Sequence, residues 1–363
     1  MSFPILTLLV LLPVVGSVLT SLISNRHPDL VKVTALLTSA ATGGMSIWLL
    51  FAFKKGDAGF QFVSEHAWIR AWGISWHLGV DGISLFLVVL TGLLFPLVIA
   101  GIDPHHDHKR YLSWMLLLQA GVMGSFVSLD LFLFFVFFEI VLVPMYFLIG
   151  GWGYDQRVYA ATKFFLFTMI GSAFMLVGIV ATAILAKADN GNVTFDLVKI
   201  AENGSFAAST GRWLFFAFAI AFAVKVPLFP FHSWLPATYA EAPAGATMFL
   251  TGIMSKMGVY GFLRILWPIF PDHLHAAAPC LIWLALGGVV FGAWAAMRQT
   301  DLKRMMAYSS VNHLAYCLLA LFALSAATGR PEKVIGRMTD VESISMTIAG
   351  PGTTLPALSL ARS

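Results

Sequence analysis

Apolar runs of about 20 residues recur along most of this chain, each long enough to cross the ~30 Å hydrocarbon core of a bilayer as a helix. Lipid offers no partner for a backbone N–H or C=O, so such a run must close its hydrogen bonds within itself. The runs are continuously apolar rather than alternating, which excludes a transmembrane β-barrel. Of 363 residues, 59% are hydrophobic and only 11% are charged, against roughly 25% charged in a typical soluble domain. The sequence therefore predicts an all-α polytopic membrane protein.

About ten transmembrane helices are expected, near 4–23, 31–53, 82–101, 112–129, 131–150, 160–186, 213–240, 244–266, 278–297 and 304–327. A Trp-rich connection, 54–81, carries Trp68, Trp72 and Trp76, residues suited to the membrane–water boundary. The other long connection, 187–212, holds the turn formers Gly191, Asn192, Asn203 and Gly204. Arg26, Lys32, Lys109, Arg110, Arg157, Lys163, Arg298, Lys303 and Arg304 fall on one side, mostly in short connections. Short basic loops stay cytoplasmic, so the N-terminus is expected outside. The net charge of +4 is accounted for by those loops and calls for no nucleic acid. The N-terminus has no basic region ahead of its apolar stretch and reads as a first helix that stays. Cys280 and Cys317 have no metal-ligand spacing and imply no disulfide framework.

Glu139 lies near the middle of the run LFLFFVFFEIVLVPMYFLIG, residues 131–150. An ionised carboxylate there costs about 2.5–3.5 kcal/mol, so it needs a partner or a proton. Pro144 withholds the N–H that would bond the Ile140 carbonyl, leaving a polar group free beside it. Lys225 ends the run WLFFAFAIAFAV and precedes Pro227, Pro230 and Pro236, which should break the helix at membrane depth. Broken helices are tolerated where they line a cavity, and they mark ion sites in transporters. Lys256 sits deep in AGATMFLTGIMSKMGVYGFL, with Gly252 and Gly258 permitting close helix approach. His313 shares a helix face with Ser309 and Tyr316 and is a candidate proton relay. His232, nearly on the Lys225 face if helix resumes, is a second-tier relay. The blander alternatives are a single interhelical hydrogen bond for Glu139 or His313, and snorkelling for either lysine. His105, His106, Asp107 and His108 read as a solvated loop rather than a metal site. No dinucleotide fold motif, phosphate loop, zinc-protease helix, nucleophile elbow or C-x-x-C occurs, so no cofactor or metal is expected on this chain.

Four stretches resemble, in order, the M-type antiporter-like subunits of proton-pumping NADH:quinone oxidoreductase, respiratory complex I. They are SWHLGVDGISLFLVVLT (75–91), FEIVLVPMYFLIGGWG (138–153), KVPLFPFHSWLPATYAEAPAGATMFLTGIMSKMGVYGFLR (225–264) and LKRMMAYSSVNHLAY (302–316). The resemblance covers about residues 1–327. It implies a glutamate–lysine pair at Glu139 and Lys225, onward transfer through Lys256, and His313 on the path to the far half-channel. It also implies an antiporter-like inverted-repeat fold with a proline-broken helix and an incomplete second repeat. The implied division is 1–111 for the N-terminal helices and Trp-rich loop, 112–266 for the first five-helix repeat, and 278–327 for the start of the second. A polar segment, 328–363, leaves the pattern and is expected to be a disordered or aberrant tail of a C-terminally truncated member.

By the same resemblance the chain would be a multi-pass subunit of a bacterial cytoplasmic membrane translocase, moving protons without redox chemistry of its own. NADH, FMN, iron–sulfur clusters and quinone would belong to partner subunits. Neighbouring antiporter-like subunits and the lipid bilayer would be its partners. Subunits of multi-subunit sodium/proton antiporters and membrane-bound hydrogenases share these motifs and remain alternatives, as do an inactive fragment and a membrane scaffold.

Overall fold

The computed structural model describes residues 4–57, 59–186 and 191–328; the polar segment beyond Thr328 lies outside them. The chain opens with α1 (Ile5–Leu22) and α2 (Pro28–Ala52), then a hairpin of β1 (Gln61–Ile69) and β2 (Ile74–Val80). Next come α3 (Gly82–Gly101), α4 (His108–Val127), and a span made of α5 (Leu131–Ile140) and α6 (Leu142–Trp152). After α7 (Arg157–Leu185) follow the short α8 (Leu197–Asn203), α9 (Ala208–Lys225) and α10 (Trp234–Glu241). Another span links α11 (Ala244–Phe249), α12 (Ser255–Gly261) and α13 (Trp267–Ile269) through π-helical stretches at Leu250–Met254 and Phe262–Leu266. A hairpin of α14 (Pro271–Met297) and α15 (Leu302–Thr328) closes the described chain.

Among the described residues, 8 helical spans are long and apolar enough to cross a membrane. Helices α4 and α9 occupy the places of the other two expected spans. The reason α4 is less apolar is its position: every residue from Leu118 to Val127 is buried. It packs on protein instead of lipid, and Gln119 and Ser125 are tolerated there.

The two ends of the bundle are tied differently. At one end the basic connections converge: Asn25 reaches Asp107, the Trp152 indole donates to the His106 carbonyl at 2.7 Å, and Lys303 donates to the Ala242 carbonyl at 2.7 Å. At the other end three aspartates start helices. Asp81 forms a reciprocal cap with Ser84 on α3, Asp130 accepts from Phe132 N and Leu133 N on α5, and Asp196 accepts from Val198 N and Lys199 N on α8. Each cap satisfies donors that a helix cannot bond internally.

The Trp-rich connection is not the irregular loop its composition suggested. Its strands pair antiparallel, and the ladder is extended by two further strips of backbone. Leu129 N donates to the His77 carbonyl at 2.9 Å, and Leu131 N to the Phe195 carbonyl at 2.8 Å. Trp68 and Trp72 stay exposed, as boundary residues should, whereas Trp76 turns inward and donates to Thr7 at 3.1 Å.

Arg264 lies within the second π-helical stretch. It is 9% exposed, bonds Asp81 at 2.5 Å, and lies 4.8 Å above the Phe60 ring. It is a clamp between α3 and the span containing α12.

Candidate functional site

The break after α9 follows from Pro227. Lacking an N–H, it cannot serve the Ala223 carbonyl, and Leu228 N bonds that oxygen at 2.9 Å. The shift displaces Leu228 from the Val224 carbonyl, its ordinary helical acceptor. The indole N–H of Trp234 fills that place at 2.9 Å. So the helix stops at Lys225, a single 3-10 turn follows at Phe231–Ser233, and α10 begins.

Lys225 is the last residue of α9 and is 2% exposed. Its ammonium stands 4.3 Å above the Phe138 ring and has no hydrogen-bond partner. Glu139, the next residue on α5, is its electrostatic partner. Glu139 Oε1 is sealed from solvent and also lacks a hydrogen bond, while Ser172 of α7 faces the carboxylate. The α5–α6 span loses its regular helix at Val141, three residues before Pro144. Acid and amine thus interact electrostatically while Glu139 Oε1 and Lys225 Nζ each stay without a hydrogen bond. Ions left so cost several kcal/mol unless water or a partner completes them.

Lys256 stands at the start of α12, immediately after the first π-helical stretch, and bends back to donate to the Thr251 carbonyl. A π-helical turn leaves carbonyls without their usual donors, and it recurs at functional sites. The expected span is present as one helical stretch, Ala244–Ile269, whose winding changes on either side of α12. Gly258 seats this helix on the break: a Cβ there would lie 2.3 Å from Val226 Cγ2 and 3.0 Å from Val226 N. Gly258→Ala is therefore expected to cost about 1–3 kcal/mol by overpacking, read as a lower unfolding temperature in detergent. Gly252 makes the other predicted close approach, toward Leu94 of α3.

Between the break and Lys256 lies a residue that sequence reasoning missed. The Tyr239 hydroxyl, on α10, is buried without a hydrogen bond and faces Thr251, Ser255 and Ser310. Thr251 is the residue whose carbonyl holds Lys256. Its signal was available: a hydroxyl on the far half of a proline-broken helix. Ser172 was harder to find, because nothing in the α7 sequence marks it among other small residues.

His232 is 9% exposed, stacks on Phe229 at 5.5 Å and meets the tilted Phe291 ring at 4.9 Å, with Lys163 of α7 in electrostatic range. It lies at the break but not against Glu139. His313 is exposed on α15, and Tyr316 of the same predicted face is 54% exposed. The structure thus gathers Glu139, Lys225, Lys256 and His232 around the broken helix and leaves His313 on the outer face of the described bundle.

The NADH:quinone oxidoreductase/Mrp antiporter TM family matches residues 128–334, the region holding every one of these side chains. NADH-quinone oxidoreductase subunit M of Rickettsia bellii is 36% identical over 333 residues, covering 90% of this chain and 66% of the relative. The chain thus spans about two thirds of the length of the curated relatives it matches. A chain of respiratory complex I from Thermus thermophilus superposes with a TM-score of 0.77 at 29% identity, over 91% of this chain and 69% of that one. The Mrp complex from a Dietzia species shares the fold, with a TM-score of 0.75 at 23% identity over 89% of this chain and 34% of that one. The match runs through more than half of the sequence, including the broken helix and both of its lysine-bearing neighbours. This polytopic chain belongs to the NADH:quinone oxidoreductase/Mrp antiporter transmembrane family.

Proposed function

We propose that the chain is a proton-translocating membrane subunit of an NADH:quinone oxidoreductase, coupled to electron transfer on other subunits. The observation that carries this reading is Lys225, a fully buried amine without a hydrogen bond, held at a proline break beside Glu139. Paired with ionised Glu139, the amine is stabilised as a cation. When the pair is drawn apart that stabilisation is lost, and the proton passes through water and hydroxyls toward Lys256. His232 and His313 would serve as relays where they border water. Residues 112–266 would form the first antiporter-like repeat and 278–327 the start of a second, with the cofactors NADH, FMN, iron–sulfur clusters and quinone on partner subunits. A bacterial cytoplasmic membrane, with neighbouring antiporter-like subunits alongside, would be its setting.

The test is proton pumping by the complete assembly in sealed vesicles, followed with a pH-sensitive dye during NADH oxidation. Glu139→Gln and Lys256→Ala should each lower proton transfer by about 100-fold, the scale of a lost positioned proton carrier. Full pumping by both variants would end the proposal. The second reading, a subunit of an Mrp-type sodium/proton antiporter, has support in the shared fold. It requires ion exchange without NADH oxidation, and that assay separates the two.

A further inference from the structure

We propose that Glu65, His77 and Asp196 form a binding site for a divalent transition-metal ion that fastens the β-hairpin to the segment entering α8. Glu65 and His77 are directly opposed in the register of β1 and β2. Opposed residues of an antiparallel pair send their side chains from the same face. Asp196 is carried to that face by the extended ladder, since Asp130 and Asp196 form a bridge and Leu197 N bonds the Leu129 carbonyl at 2.8 Å. One ligand atom from each residue then lies within 4.8 Å of the others. Residues far apart in sequence meet only through this ladder, which is why linear spacing showed no ligand set.

The oxygens sort themselves. Asp130 is saturated: Ser75 N and Oγ hold Oδ2, while Phe132 N and Leu133 N hold Oδ1. Asp196 commits only Oδ1 to its helix and keeps Oδ2 toward the histidine. The His77 side chain is 9% exposed, and its Nδ1 lies 3.3 Å from Asp196 Oδ2. Yet that nitrogen forms no hydrogen bond. Two atoms close together but not bonded to one another have the relation of ligands directed at a common third point. The nitrogen meets Asp196 Oδ2 outside hydrogen-bond geometry, and a metal ion between the two atoms would satisfy both.

The donor set fixes the class of ion. One imidazole and two carboxylates suit zinc and other first-row divalent metals better than magnesium or calcium, which prefer oxygen alone. Two carboxylates beside a neutral imidazole balance a +2 charge. Glu65 is exposed, so the ion has a route in and water can supply a fourth ligand. Lys199 Nζ stands 4.0 Å from Asp196 Oδ2, beyond direct hydrogen-bond distance.

The test uses the full chain in lipid nanodiscs, titrated with Zn²⁺ by calorimetry and probed at the zinc K-edge. One ion is expected per chain, with one nitrogen and two carboxylate oxygens among its neighbours. Glu65→Gln, an exposed change that leaves the fold in place, and His77→Gln should each weaken affinity at least about tenfold. Glu202→Gln, an exposed acid on the adjacent α8, should leave it unchanged. Equal affinity in all four proteins, a spectrum without nitrogen, or no binding by the unaltered chain would each overturn the proposal. None of these outcomes depends on proton transfer, so this inference and the proposed function stand or fall separately.

Discussion

Replacing Glu139 by glutamine and Lys225 by methionine together should give a chain that folds, resists denaturation better, and moves no protons. The two charges are mutually attracted, and Glu139 Oε1 and Lys225 Nζ are both out of water without a hydrogen bond. Apolar or neutral side chains of similar volume in place of a buried ion pair are commonly neutral or stabilising by about 1–4 kcal/mol. Methionine fits because it keeps the length of lysine and can lie on the Phe138 ring that the ammonium now covers. Lys225→Met alone should be worse than the double change, because it strands a carboxylate without its counter-ion. Denaturant titration in detergent reads the stability, and vesicle acidification by the complete assembly reads the transport. A double variant that pumps normally would mark the pair as scaffolding. One that is much less stable would mean the pair holds the fold, and the transport argument would lose its physical basis.

The opposite sign is expected at the other buried pair. Arg264 and Asp81 touch at 2.5 Å, and the guanidinium is further held by the Tyr260 hydroxyl at 3.3 Å and by the Phe60 ring. Arg264→Met leaves the Asp81 carboxylate buried with only its cap to Ser84, and should cost about 3–5 kcal/mol. Adding Asp81→Asn removes the stranded charge, keeps an effective helix cap, and should recover most of that loss. A double-mutant cycle on thermal unfolding measures the coupling; additive losses would show that the two residues act independently. Proton transfer per folded molecule should change little, because no hydrogen bond or ion pair among the described residues joins Arg264 or Asp81 to Glu139, Lys225 or Lys256. The two buried ion pairs therefore differ in construction: Arg264 and Asp81 are in direct contact, whereas Lys225 and Glu139 interact without one.

That contrast also explains what could be read from the sequence. Glu139, Lys225 and Lys256 were legible because a charge inside an apolar run is costly wherever the run ends up. The break was legible because Pro227 and Pro230 cannot donate hydrogen bonds, whatever surrounds them. The partner of Arg264 was not legible, for there is no linear sign that Asp81 waits across the bundle. The hairpin was hidden for a similar reason: its strands are held by Leu129 and by the strip at Phe195, both distant in sequence. The π-helical stretches flank α12, whose Gly258 and Gly261 pack against Val226 and Phe222, and no helix propensity encodes them. His313 was chosen by residue type and face, and type and face say nothing about which side of α15 meets the rest of the bundle.

The indole of Trp234 gives the broken helix a property beyond its role as a hydrogen-bond donor. By spanning the discontinuity and gripping the Val224 carbonyl, it fastens the second half to the first, one residue from Lys225. A shift of either half would be handed to the lysine through that single link.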